Sequence, residues 1–240
     1  MAFVFEPAPI ATLSVVGTAD RFPVHRIYCI GQNYALHAQE MGSSVDRERP
    51  MFFMKPADGV VVGNADVPYP SATNNLHHEV EMIVALASGG RDIPVEKALE
   101  RVYGYGVGMD LTRRDLQLEA KQKGRPWDTA KGFDHSAPVS ALRRVSEVGH
   151  PSAAALTLTV NGECRQQDNI NQMAWRVAEI INALSCLYEL QAGDLIFTGT
   201  PAGVGPLQVG DQFVATLGDI ATLSGRIVAQ ADAVGDQRML

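Results

Sequence analysis

His78-Glu79-Val80-Glu81-Met82-Ile83-Val84-Ala85-Leu86 is the stretch on which the fold turns. Its apolar, β-branched run from 80 to 86 reads as a short strand. Residues i and i+2 of a strand share a face, so Glu79 and Glu81 point the same way, with Ile83 and Ala85 beyond them. No Lys or Arg lies within four residues to offset the pair. At about 6 Å two carboxylates repel by less than about 1 kcal/mol in water, but by about 3 kcal/mol at an effective dielectric near 20. Two readings follow: a strand end that stays wet, or a strand end where a divalent cation reverses the sign of the repulsion.

Outward from this segment, short strands dominate. The spacing predicts them at 26–30, 60–62, 103–109, 156–160, 195–198 and 212–217, each bounded by Gly, Pro or Asn. Asn161-Gly162 marks a hairpin turn, because both of its central positions need positive φ. Helices are expected at 94–101, behind Pro94; at 112–123, where Thr112-Arg113-Arg114-Asp115 resembles a capping box and Gly124 follows; and at 173–190. On the last of these Val177, Ile180, Ile181, Leu184 and Leu187 form one apolar face. Strands and helices do not alternate strictly, which points to an α+β fold with a mixed sheet rather than a doubly wound one. The stretch 42–50 is charged and nearly free of apolar residues, and reads as an exposed loop.

The chain has 240 residues, enough for one large domain, and no repeat of 20 to 50 residues that would suggest a solenoid. With 20 Lys and Arg against 27 Asp and Glu, the net charge of −7 argues against a nucleic-acid or anionic-membrane partner. An anionic ligand must then be held by local positive charge, from a metal or a few chosen side chains. Cys29, Cys164 and Cys186 are widely spaced with no CxxC, which predicts free thiols in a reducing compartment and a cytoplasmic protein. The first 17 residues lack a basic region and make a poor signal peptide, and no apolar run reaches the roughly 20 residues of a membrane helix.

A third carboxylate, Asp110, ends the run Val102-Tyr103-Gly104-Tyr105-Gly106-Val107-Gly108-Met109. It reads as a helix N-cap or as a metal ligand. Glycines at 104, 106 and 108 share one face and leave room for something to approach the backbone. Three carboxylates without Cys form a hard oxygen set suited to Mg²⁺, Mn²⁺ or Ca²⁺. His37 and Glu40 stand three apart on a short helix for which Asn33 is the expected cap, as a solvated pair or as a base that activates water. Lys131 and Thr200 lie in glycine-bearing turns that either face solvent or aim at a ligand.

Several ordered motifs carry a wider likeness. They are Tyr28-Cys29-Ile30-Gly31-Gln32-Asn33-Tyr34 followed by His37 and Glu40, Phe53-Met54-Lys55-Pro56, His78-Glu79-Val80-Glu81, and Gly108-Met109-Asp110 through Gln117. Ala130-Lys131-Gly132-Phe133-Asp134, Val160-Asn161-Gly162-Glu163 and Gly193-Asp194 through Gly205 complete the set. Together, over about 24–227, the chain resembles the fumarylacetoacetate hydrolase family. The resemblance implies a mixed β-roll with flanking short helices, a single catalytic domain over 1–240 and a homodimer. It implies Mg²⁺ or Mn²⁺ on Glu79, Glu81 and Asp110, a water-activating dyad of His37 and Glu40, and Lys131 as a cation beside the metal or the developing oxyanion. Arg114, Gln117 and Thr200 match positions that contact the small-molecule keto acid.

The activity so implied is hydrolysis of a C–C bond in an acylpyruvate, with fumarylpyruvate of gentisate-type aromatic breakdown as the leading substrate. Arg47, Arg49 and Arg114 are then the candidates for holding its fumaryl carboxylate. Decarboxylation or tautomerisation of oxaloacetate at the same metal is the alternative. Isomerisation or dehydration of another keto acid is a third possibility, and a non-catalytic, metal-dependent keto-acid-binding protein a fourth.

Overall fold

The structure is a computed structural model that describes residues 2–230; residues 1 and 231–240 of the expected domain lie outside the described residues. Its largest sheet has eight strands, in the order Met51–Lys55, Ile27–Gly31, Leu195–Phe197, Val80–Leu86, Val102–Met109, Ala137–Val139 and Val60–Val62, with Arg143–Arg144 also paired to Val102–Met109. Leu195–Phe197 runs parallel to Ile27–Gly31 and antiparallel to Val80–Leu86, so the sheet is mixed. A five-stranded sheet orders Glu163–Asn169, Ala155–Val160, Gln212–Leu217, Ala221–Val228 and Val67–Pro68. This is an α+β fold with few, short helices, as the order of strands and helices predicts.

Every residue of Val80–Leu86 is buried, because both of its faces are covered. Val80, Met82, Val84 and Leu86 join the main core shared with the five-stranded sheet, while Ile83 and Ala85 join a second core with Leu13, Phe22, Val139 and Phe197. Glu79 and Glu81 continue the second face toward its open end. The glycine face of Val102–Met109 is filled by the chain itself: a Cβ on Gly104 would sit 2.4 Å from the Arg143 carbonyl oxygen, and one on Gly108 2.8 Å from that of Pro138. What the small residues admit is the close approach of the backbone of Ala137–Val139 and Arg143–Arg144, the strands paired with this one.

The Asn161-Gly162 turn forms as expected, with φ of 54° and 81°. The helices are shorter than the spacing predicts. Residues 112–113 pair as a strand, so the helix runs Arg114–Lys123 and ends on left-handed Gly124, and Thr112 is not its cap. The last helix is Val177–Leu187; Val177, Ile180, Ile181 and Leu184 are buried, but Leu187, its last residue, is 62% exposed. Asn33 caps no helix either. Its buried side chain donates to the Trp175 and Thr198 carbonyls and accepts from the Trp175 N–H, tying the start of Ala35–Glu40 to the end of the large sheet. The 42–50 loop is partly docked, with Arg47 over the Trp175 ring and paired to Glu179 at 2.8 Å. All three cysteines are free. Among the described residues no helix is long and apolar enough to cross a membrane.

Candidate metal centre

Antiparallel register assembles the three carboxylates. Val80 pairs with Met109 and Glu81 with Gly108, and the Asp110 N–H donates to the Glu79 carbonyl at 2.8 Å. Cross-strand partners point to the same side, so Asp110 stands opposite Glu79 and diagonal to Glu81. One oxygen from each lies within 4.8 Å of the others, and all three residues are buried. Asp110 is not an N-cap, since the Thr112–Arg113 strand separates it from the helix.

Burying three acids is costly unless each is paired. Glu79 accepts from Arg114 at 2.6 Å and from Lys131 at 2.7 Å. Asp110 accepts from Lys131 at 2.6 Å, and its other oxygen lies 2.8 Å from Lys55 Nζ. Lys131 spends its third donor on the Thr112 hydroxyl at 2.7 Å, so in this arrangement it serves the carboxylates and keeps no free N–H for a ligand. Burial favours the neutral form of both Lys131 and Glu79. The charges around them outweigh it: Asp110 and then Glu79 hold the lysine pKa up, and Lys131 and then Arg114 hold the glutamate down. Glu81 is different. Among the described residues no cation lies within ion-pair distance of it, and its one donor is the Gly199 N–H at 2.6 Å. Burial, and then the charges of Asp110 and Glu79, push its carboxyl well above the usual range.

The donor set fits a hard divalent cation. It offers three buried carboxylates converging on one point, and among the described residues one of them, Glu81, has no cation within ion-pair distance. Lys55 is the participant to which sequence reasoning assigned no role. It is fully buried, donating to the Leu111 carbonyl at 3.0 Å and to that of Lys131. The available signal was a lone lysine in the apolar run Met51–Lys55, since a buried ammonium requires a carboxylate partner.

The trio opens on a cleft that is also lined by His37, Arg114, Gln117, Lys131 and Thr200. His37 Nδ1 lies 3.1 Å from Glu40 Oε2, and Glu40 in turn accepts from the Gly203 N–H at 3.1 Å, which fixes the pair. Arg114 also donates from Nε to His77 Nδ1 at 3.3 Å. Burial, and then that same guanidinium, lower the His77 pKa to about 4, so the ring is a neutral acceptor. Thr200 Oγ1 accepts from the Gln166 side chain, whose carbonyl oxygen accepts from the Val80 N–H and faces His78 Nδ1. Gln166 was missed: it lies in the polar strand Glu163–Asn169, where nothing in the sequence marks it as the one residue that turns inward. Arg47 does not line the cleft and is engaged with Glu179 and Trp175, while Arg49 lines a smaller neighbouring pocket that shares Gly31, Gln32 and Met51 with it.

Residues 26–228 match the fumarylacetoacetate (FAA) hydrolase C-terminal family. The chain is 40% identical over 208 residues to oxaloacetate tautomerase YcgM of Escherichia coli, covering 86% of this chain and 94% of that protein. It is 41% identical over 186 residues to the fumarylpyruvate hydrolase of a Ralstonia species, covering 77% and 96%. Among solved structures, fumarylpyruvate hydrolase from Pseudomonas aeruginosa, in complex with Mn²⁺ and pyruvate, superposes with a TM-score of 0.93 at 47% identity, covering 95% of this chain and all of that one. With the buried acidic trio, the dyad and the mixed sheets in the same chain, these matches establish that the protein belongs to the fumarylacetoacetate hydrolase family.

Proposed function

We propose that the chain is a divalent-metal-dependent acylpyruvate hydrolase that cleaves fumarylpyruvate to fumarate and pyruvate. The observation that carries this reading is that the His37–Glu40 pair and the acidic trio open on one cleft. Mg²⁺ or Mn²⁺ held by Glu79, Glu81 and Asp110 supplies Lewis acidity toward the 2-oxo acid end of the substrate. Lys131, Lys55 and Arg114 hold those carboxylates in place, and Arg114, Gln117 and Thr200 line the wall along which the keto acid is oriented.

His37 does the proton work. Its Nδ1 is committed to Glu40, so Nε2 is the free nitrogen and takes a proton from water. Hydroxide adds to the C4 carbonyl, the C3–C4 bond breaks with its electron pair going to C3, and the proton held at Nε2 returns to that carbon. The products are fumarate and pyruvate. The similarity to the P. aeruginosa fumarylpyruvate hydrolase supports this substrate. The second reading, tautomerisation or decarboxylation of oxaloacetate, draws on the likeness to YcgM and uses no water attack.

Turnover of fumarylpyruvate, acetylpyruvate and oxaloacetate by the Mn²⁺-loaded protein separates the two. Fumarylpyruvate is expected to have the highest kcat/KM, and a larger value for oxaloacetate overturns the hydrolase reading. His37→Ala is expected to lower kcat for fumarylpyruvate by about 10²- to 10⁴-fold while Mn²⁺ affinity, measured by calorimetry, is unchanged.

A further inference from the structure

Fumarylpyruvate and oxaloacetate share a 2-oxo acid head and differ in where the second carboxylate sits. At about 1.5 Å per carbon–carbon bond, the distal carboxyl of fumarylpyruvate lies five bonds, roughly 6 Å in extended form, beyond the 2-oxo carbon. That of oxaloacetate lies two bonds beyond it. A site that reads the longer diacid therefore needs positive charge set back from the carboxylate trio.

The cationic side chains lining the cleft, apart from His37, are Arg114, Lys131 and Lys121. Arg114 and Lys131 are bound to Glu79 and Asp110. Lys121 is exposed, and among the described residues no carboxylate lies within ion-pair distance of it and its ammonium makes no hydrogen bond. Its acidic helix neighbour Glu119 is already engaged with Lys123 and Arg125. Lys121 follows Arg114 by seven residues on the helix Arg114–Lys123. Seven residues are nearly two full turns, so the two side chains leave the same face, about 10 Å apart along the axis, with Gln117 between them. The cleft wall thus places an anchored guanidinium beside the metal centre and an unspent ammonium two turns farther out. Met51, Phe53 and Trp127 line the same cleft and suit an uncharged carbon chain in between.

We infer that Lys121 is the specificity-determining residue that receives the distal carboxylate of a long 2-oxo diacid, and so selects fumarylpyruvate-length substrates over oxaloacetate. The inference rests on the metal-dependent keto-acid reading of the cleft. It assigns to Lys121 the role that the sequence suggested for Arg47, Arg49 or Arg114.

The test is equilibrium binding of two non-hydrolysable acids to the Mn²⁺-loaded full chain by calorimetry: 2-oxoheptanedioate, whose distal carboxyl is five bonds from the oxo carbon, and 2-oxoheptanoate, which lacks it. Lys121→Ala is expected to weaken the diacid at least tenfold and the monoacid less than twofold, and Lys121→Arg to stay within about threefold of the unsubstituted protein. Lys123→Ala, a lysine paired with Glu119 and absent from the cleft wall, is expected to change neither. Equal losses for both acids in Lys121→Ala, no loss for either, or an unsubstituted protein that binds the diacid no more tightly than the monoacid overturns the inference. Failure of the hydrolase reading would look different, since fumarylpyruvate would then go uncleaved while the Lys121-dependent preference for the diacid persisted.

Discussion

Glu81 concentrates the electrostatic demand of the centre. Glu79 and Asp110 each face a cationic nitrogen at under 3 Å, whereas Glu81 has a backbone N–H alone and sits between two like charges. A cation is what would let it ionise without penalty. Glu81→Ala is therefore expected to weaken Mn²⁺ binding by at least 100-fold and to abolish turnover. Glu48→Ala, in the exposed loop, is expected to leave the Mn²⁺ isotherm unchanged, and equal affinities in the two variants would remove the trio from the metal's coordination. Glu79 and Glu81 were legible as a pair from the two-residue period of the strand, but spacing left open whether they were wet or buried. Asp110 could be joined to them only by resemblance, because its place opposite Glu79 depends on the pairing register of two strands separated in the chain.

At the level of elements, packing decides where helices begin and end. Val177–Leu187 was legible from its apolar spacing, yet Leu187 falls off the buried stripe because the helix ends beside it. Ile181→Ala is expected to cost about 2–5 kcal/mol in denaturant unfolding, and Leu187→Ala less than about 0.5 kcal/mol. The Arg114–Lys123 helix has a different anchor from the expected capping box. Asp115 accepts from the Thr73 hydroxyl at 2.6 Å and from the Asn74 N–H at 3.2 Å. Burial acts to raise the Asp115 pKa, but these bonds outweigh it and hold the pKa below the usual range. A depressed folded pKa contributes stability above the unfolded value near 4 that is lost as pH falls through the folded one. Asp115→Ala should thus cost about 1–2 kcal/mol at pH 7 and progressively less below about pH 4, read from urea midpoints across pH. A penalty independent of pH would show that the carboxylate's charge is not what anchors the helix.

Over the whole molecule, the carboxylate trio draws together residues from strands of one sheet, and its flanking cations come from a sheet edge and from two helices. A cation that binds this assembly but not the unfolded chain stabilises the fold by mass action. Mn²⁺ at about 100 times its dissociation constant is expected to add about 2.7 kcal/mol, which raises Tm by roughly 5–10 °C for a chain of this size. Differential scanning calorimetry reads that shift, and Glu81→Ala should show little of it. A Tm that Mn²⁺ does not move in the unsubstituted protein would mean that the centre does not form a metal site.

The amino-acid sequence by itself determined the α+β class, the main strands, the Asn161-Gly162 hairpin and, through its ordered motifs, the family, because these are local patterns or linear strings. Tertiary structure alone decided what spans the chain: the register that sets Asp110 against Glu79, the burial of Lys55 and Gln166, the docking of Arg47 away from the cleft and the placing of Lys121 on its wall. Charges in proteins are governed by what they face, and sequence order does not say which distant residues come to face one another.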